Sequence, residues 1–221
     1  MLKGYVKNAL KTINKEVEME NNNITGIITI GHKMPEFEME AYDPQKRAFT
    51  KFSLKDSLKA KKWTVMVYYP ADFTFVCPTE LADLADHHKE LKDLGVNVVS
   101  VSSDTKFVHM AWRDTEKLLQ NVNYLMLTDA EGKIAKKLGV YDENSSLPYR
   151  ATIVINPEGI VVGIEVNMNN VGRNMAELVR KMKAFIHTYN NPSEVCPAKW
   201  EPGKKTLKPS EKLVGKVYEN I

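Results

Sequence analysis

The chain has 221 residues, 43% of them apolar, enough for one sizeable core with appendages. Its 31 Lys and Arg against 28 Asp and Glu leave a formal net charge of +3, which implies no basic face for nucleic acid, and no apolar run approaches the ~20 residues of a membrane-spanning helix. Two cysteines are too few for the disulfide framework of a small secreted domain, so a reducing, cytoplasmic compartment is expected, with thiols reactive or buried.

Residues 1–23 read as an N-terminal extension. A stripe of Leu2, Val6, Ala9 and Ile13 beside Lys3, Lys7, Lys11 and Lys15 permits a short amphipathic helix, followed by the polar Glu20-Asn21-Asn22-Asn23. The segment lacks the apolar region of a secretory signal. It has no Arg and carries Glu16, Glu18 and Glu20, a poor fit to a mitochondrial presequence. Met19 is a second candidate start.

Residues 24–190 form the main domain. Strands are expected at Ile24–Ile30, Glu36–Glu40 and Phe49–Leu54, with a turn at Asp43-Pro44 and one helical turn over Ser53–Lys59. Trp63–Tyr69 is apolar on both alternating faces, as in a central strand covered on both sides. From Pro78 the spacing turns helical, with Leu81, Leu84, Ala85, His88 and Leu91 on one face and a stop at Gly95. Val96–Val101 is a second buried strand. Asp104 can cap a helix over residues 105–120, Tyr124–Leu127 reads as a short strand, and Gly132–Leu138 as a short helix. Ala151–Ile155 and Ile160–Val166 make a hairpin around Asn156-Pro157-Glu158-Gly159. Arg173–Tyr189 is an amphipathic helix with Met175, Leu178, Val179, Met182 and Ile186 on one side. Beyond Asn191-Pro192 the periodicity is lost, and 191–221 reads as an arm holding the second thiol, Cys196. Strands alternating with helices, then a hairpin and a helix, specify an α/β fold with a mixed sheet.

Cys77 stands between the Trp63–Tyr69 strand and the helix beginning at Pro78. Pro favours the first helical position, which puts Cys77 at the N-cap, where the N–H groups of Thr79 and Glu80 and the helix dipole would favour a thiolate. On position alone an inert, buried thiol is the alternative. Cys77 and Cys196 form no C-x-x-C, and His32, His87, His88, His109 and His187 show no metal-ligand spacing. His88 falls on the apolar helix face as a packed core residue, and Asp142-Glu143 in a solvated loop.

Pro70, Thr74 and Cys77 spell P-x-x-x-T-x-x-C, extended by Pro78-Thr79-Glu80. With Arg150 before a strand, Gly172-Arg173 at the last long helix, and Glu194-Val195-Cys196-Pro197-Ala198-Lys199-Trp200 in the tail, the chain resembles the peroxiredoxins. The tail is similar to that of the typical two-cysteine, alkyl hydroperoxide reductase C type, and the resemblance covers residues 27–216. It implies a thioredoxin-like fold and peroxide reduction carried by sulfur, with no metal, haem or flavin. Cys77 would be the peroxidatic thiolate, Thr74 would bond thiolate and peroxide, and Pro70 would shield the pocket. Arg150 would favour the charged thiol and stabilise charge as the O–O bond lengthens, with Glu80 and Arg173 holding it. Cys196 of a partner subunit would resolve the sulfenic acid as an intersubunit disulfide. A thioredoxin-like protein or a flavoprotein reductase would reduce that disulfide, and homodimers would assemble into a ring of five. A chaperone or redox-signalling relay on the same ring is the alternative role.

The chain departs from the easily overoxidised members of the family in lacking their G-G-L-G loop and C-terminal Tyr-Phe; no Phe follows Cys196, and the last residues read Gly215-Lys216-Val217-Tyr218-Glu219-Asn220-Ile221. With no extra helix pinning the arm, Cys77 should resist overoxidation. Mass spectra of protein cycled in excess peroxide should show little sulfinic acid at Cys77, and early, abundant sulfinate is the result that contradicts this.

Overall fold

All six residues of Trp63–Tyr68 (β3) are buried, so the strand has to sit inside a sheet covered on both faces. The computed structural model describes residues 26–220; the expected helix within 1–23, Met19 and the start of the Ile24–Ile30 strand lie outside them. The other strands are Glu38–Asp43 (β1), Ala48–Ser53 (β2), Val96–Ser102 (β4), Leu125–Thr128 (β5), Tyr141–Asp142 (β6), Leu147–Pro148 (β7), Arg150–Ile155 (β8) and Val161–Asn167 (β9). Seven of them form one sheet in the order β2-β1-β5-β4-β3-β8-β9, while β6 and β7 make a separate ribbon. The pairs β3–β4 and β4–β5 are parallel. β1–β2, β1–β5, β3–β8 and β8–β9 are antiparallel, so the sheet is mixed as expected.

The helices are Leu54–Lys59 (α1), Cys77–Asp93 (α2), Lys106–Thr115 (α3), Lys133–Lys137 (α4) and Met175–Asn190 (α5). Side chains alternate across β3. Trp63, Val65 and Val67 join a core layer with Leu81, Leu84 and Leu91 of α2, Trp112 of α3, and Leu178, Val179 and Met182 of α5. Met66 and Tyr68 join the opposite layer with Leu54 of α1 and Ile134 and Ala135 of α4. Burying each leucine of α2 contributes about 1.5–3 kcal/mol, which fixes that helix, and Cys77 at its start, against the sheet. His88 is packed in the same helix, its Nδ1 bonded to Asn123 Oδ1 and its ring edge-on to Tyr124.

Four expectations are corrected. Residues 26–30 form no strand: Ile28 is buried, but its N–H goes to Lys137 O, and Gly31 N goes to Val161 O, outside any ladder. The helix expected over 105–120 is capped by Thr105, whose Oγ1 accepts Val108 N at 3.4 Å, and it stops at Thr115. Thr115 Oγ1 bonds back to Ala111 O and Trp112 O, and Glu116 opens a separate 3-10 turn, Lys117–Asn121. The last long helix begins at Met175 rather than Arg173, because Asn174 Oδ1 caps it through Ala176 N (2.9 Å) and Glu177 N (3.3 Å). The fourth correction, the start of α2, belongs to the site.

The hairpin between β8 and β9 is as read: Gly159 takes φ +83° and Asn156 Oδ1 accepts Glu158 N and Ile160 N. This turn, with a one-residue register shift between Val154 and Ile155, lays Arg150 opposite Asn167, beside the β3 end that leads to Cys77.

Candidate active site

β3 stops at Tyr68, and the chain then loops through Pro70 to Val76 before α2 begins. The loop is pinned at Asp72, which is buried. Its carboxylate accepts Tyr69 OH at 2.6 Å and faces His109 Nδ1 of α3 at 2.7 Å, while its N–H donates to Asp104 Oδ2 at 2.8 Å. Burial pushes the Asp72 carboxyl up, against the pull of His109. The next residue, Phe73, is forced to φ +55°, a left-handed backbone that non-glycine residues rarely adopt. Pro70 is buried at the loop's start. Thr74 is half-buried, and its Oγ1 donates to Ala71 O at 2.8 Å. A hydroxyl has one proton, so Thr74 has none left for the sulfur and offers lone pairs instead.

Cys77 is the first residue of α2, not its N-cap. Val76 occupies the cap with helical dihedrals (φ −86°, ψ −34°), and its carbonyl, not the sulfur, takes Thr79 N at 3.1 Å and Glu80 N at 3.3 Å. Pro78 then stands at the second helical position, still within the turn whose N–H groups have no helical partner. The thiol is 0% exposed, and its hydrogen-bond partner comes from across the sheet: Arg150 Nη1 donates to Cys77 Sγ at 3.3 Å.

Arg150, the first residue of β8, is itself held on two sides. Nη1 also donates to Glu80 Oε2 at 2.8 Å, and Nε and Nη2 both reach Asn169 O, at 2.9 and 2.8 Å. Glu80 lies one helical turn after Cys77 and takes Arg173 as well: Nε to Oε1 at 2.9 Å, Nη2 to Oε2 at 3.0 Å, and the Arg173 backbone N–H to Oε1 at 2.8 Å. Arg173 is completed by Thr152 Oγ1 (3.1 Å) and Tyr68 O (2.9 Å). Side chains of all three members are at most 3% exposed. Such charges persist out of water because every one is paired and bonded.

The electrostatics follow from the pairing. Burial alone raises the Glu80 carboxyl, but the hydrogen bonds and charge of Arg173, with Arg150 behind them, outweigh it and hold Glu80 below the usual glutamate range. Burial likewise works against the Arg150 charge, yet Cys77 and then Glu80 raise its pKa above that of an ordinary arginine. Two guanidinium groups and one carboxylate leave one positive charge unbalanced, and a thiolate at Cys77 brings the buried set to neutrality.

Cys77, Arg150, Glu80 and Arg173 are therefore in one network, with Thr74 and Pro70 on the loop leading into it. Cys196 is placed elsewhere, half-buried on α5 with Sγ 3.9 Å from Ala184 O, and both thiols are free. Burial and then Glu194 push the Cys196 thiol up, against Arg180. Sequence reasoning missed Thr152, the anchors Asp72 and His109, and the carbonyls of Tyr68 and Asn169. Thr152 stands two residues after Arg150 on the same face of a strand, a spacing that could have pointed to it; backbone carbonyls leave no such signal.

A buried thiol bonded to a fixed guanidinium at a helix start, on a sheet of this topology, defines a thiol peroxidase on a thioredoxin-like fold. A family profile described as "AhpC/TSA family" matches residues 30–164, and one described as "C-terminal domain of 1-Cys peroxiredoxin" matches residues 184–220. An alkyl hydroperoxide reductase C of Staphylococcus haemolyticus is 46% identical over 181 residues, 82% of this chain and 95% of the relative. The reduced 2-Cys peroxiredoxin of Plasmodium vivax superposes with a TM-score of 0.78 at 33% identity, covering 83% of this chain and 94% of that one. AhpC of Enterococcus faecalis gives 0.72 at 41% identity, over 77% and 100%. The chain belongs to the AhpC/TSA family, as a peroxiredoxin of the two-cysteine, alkyl hydroperoxide reductase C type.

The depressed Glu80 carboxyl fixes the sign of an acid response. Its stabilisation is complete above the ordinary carboxylate pKa of about 4.3 and is lost as pH falls through its lower folded value. Glu80→Gln should lower stability at neutral pH by about 3 kcal/mol and lose less than the parent on acidification below about pH 4. Urea unfolding across that range checks it; parallel acid slopes for the two proteins would be the contrary result.

Proposed function

We propose that the enzyme reduces hydrogen peroxide and organic hydroperoxides through a Cys77 sulfenic acid, resolved by Cys196 of a partner subunit. The observation that carries this reading is the 3.3 Å bond from Arg150 Nη1 to the fully buried Cys77 Sγ. The thiolate attacks one peroxide oxygen; the S–O bond forms as the O–O bond breaks, and the departing oxygen takes a proton and leaves as water or an alcohol. Arg150, already oriented by Glu80 and Asn169 O, supports the negative charge that develops on the separating oxygens. Thr74, its own proton committed to Ala71 O, accepts from the peroxide O–H and aligns it. Pro70 keeps water from the loop, and Glu80 and Arg173 act through Arg150 as positioning residues.

The product Cys77 sulfenic acid is neutral, so the buried set loses its anion and the first turn of α2 is free to open. Cys196 then attacks the Cys77 sulfur; the S–S bond forms, the S–O bond breaks, and the hydroxyl leaves as water. A thioredoxin-like protein or a flavoprotein reductase returns the two electrons. Residues 24–190 are the peroxidase domain and 191–221 the arm that delivers Cys196. The assembly is a homodimer, with five dimers in a ring, in the cytoplasm. The edge position of β9 with exposed Val166 and Met168, and the exposed Phe49, Phe73, Phe75 and Phe107, support such self-association.

Non-reducing gels after one equivalent of peroxide test the two-thiol cycle. A disulfide-linked dimer should form in the parent and disappear in both Cys77→Ser and Cys196→Ser; a monomer band unchanged by peroxide rejects it. Arg150→Met should lower the peroxide rate constant by about 10²-fold, at least as severely as Thr74→Val. A rate within twofold of the parent removes Arg150 from its role.

A further inference from the structure

Asp72 is a buried carboxylate that the peroxide chemistry leaves unused. Its side chain and that of His109 are both 0% exposed, and a charge taken out of water persists only when it is paired and bonded. The partners come from three directions. Tyr69 OH, just past β3, donates to Oδ1 at 2.6 Å, and His109 Nδ1 of α3 meets Oδ2 at 2.7 Å. The Asp72 N–H donates to Asp104 Oδ2 at 2.8 Å, an oxygen that Ser102 Oγ of β4 also reaches at 2.8 Å. His109 is fixed in turn through Nε2, which lies 3.1 Å from Leu127 O of β5; a carbonyl only accepts, so that nitrogen carries a proton.

The anchored residue stands in a bend. Thr74 Oγ1 donates to Ala71 O at 2.8 Å, closing four residues with Asp72 and Phe73 at their centre. Phe73 has φ +55° there, and a left-handed third position in a tight turn ordinarily takes Gly or Asn. Its own ring does little to hold it, being 58% exposed with the Trp112 ring 6.2 Å away. The backbone is held by the bonds on its neighbour, Asp72, and the residue that the bend delivers to the site is Thr74.

We propose that Asp72 is a positioning residue for the peroxide step: tied to Tyr69, His109 and Asp104, it holds Phe73 left-handed and so sets Thr74 where its hydroxyl aligns the peroxide at Cys77. The proposal rests on the role given to Thr74 above. The Asp72 anchor shares no side chain with the Glu80 clamp, so its loss leaves Arg150 bonded to Cys77 and acts through the loop. Without the Asp72 side chain, strain of the kind stored at Phe73 favours a relaxed bend by about tenfold. The rate of Cys77 oxidation falls with the population of the strained bend, because the peroxide then loses its alignment. Position 72 needs bonding geometry rather than charge. Asp72→Asn keeps both side-chain bonds, its carbonyl accepting Tyr69 OH and its amide N–H donating to His109 Nδ1.

The test reads the second-order rate constant for oxidation of the reduced, full-length protein by hydrogen peroxide. Asp72→Ala should lower it about tenfold, and Asp72→Asn should bring it back to within about threefold of the parent. Added to Asp72→Ala, Phe73→Gly removes the strain and should restore the rate about fivefold. Phe73→Ala loses the same ring but keeps the strain, and should restore nothing. A defect confined to the packing around Asp72 would not tell these two substitutions apart. Tyr69→Phe deletes one anchor bond, should lower the rate about threefold, and supports the same comparison if Asp72→Ala does not fold. Thr74→Val combined with Asp72→Ala should be no slower than Thr74→Val alone. An Asp72→Ala rate within about twofold of the parent, or equal rates with Phe73→Gly and Phe73→Ala, overturns the positioning role. If Phe73→Gly restores the rate while Thr74→Val alone matches the parent, the route through Thr74 is overturned and the fault lies in the role given to that hydroxyl.

Discussion

One carboxylate organises the reactive end of the molecule. Glu80 receives four hydrogen bonds, one from Arg150 and three from Arg173. Through them it joins α2, β8, the end of β3 and the segment leading into α5, four pieces of chain that the sheet alone would bring near each other without fixing their angles. Burying three charges gains little stability in itself. What it gains is direction: a guanidinium fixed by Glu80 on one side and Asn169 O on the other has one orientation in which to meet the sulfur.

The loop before α2 is over-determined in the same sense. Asp72 is tied to Tyr69, to His109 of α3 and to Asp104 beyond β4, and between this anchor and the helix Phe73 takes a backbone conformation it would not choose. Strain of about 1–3 kcal/mol persists only where surrounding bonds hold it. Here the bonds come from three different elements, and the strained residue precedes the threonine whose hydroxyl is already committed to Ala71.

Periodicity revealed the parts of the fold that rest on burial. The apolar run Trp63–Tyr69 and the spacing of Leu81, Leu84 and Leu91 read as a central strand and its covering helix because nothing but a two-sided core accommodates them. Features that rest on backbone bonding were less legible. Ile24–Ile30 has strand composition, but the N–H of Ile28 pairs with Lys137 O instead of a ladder. The helix after Asp104 ends where Glu116 turns extended and its side chain caps the next turn through Leu118 N, and β6 and β7 are two residues each, too short to alternate. Asn174 followed by Glu177 was a readable cap for α5, passed over in favour of Gly172-Arg173. At the site, the position of Cys77 showed that it could be reactive, not what would touch it. Arg150 lies 73 residues away and Arg173 lies 93 from Glu80; no local spacing joins them, and only the family resemblance grouped them.

The Glu80 clamp also sets the length of a tether. If the first turn of α2 opens while Glu80 stays bonded to both arginines, three peptide units remain between the fixed point and Cys77. In a helix they span about 4.5 Å; fully drawn out they reach about 10 Å. The sulfur can therefore swing only within that short radius of the point where Glu80 is held.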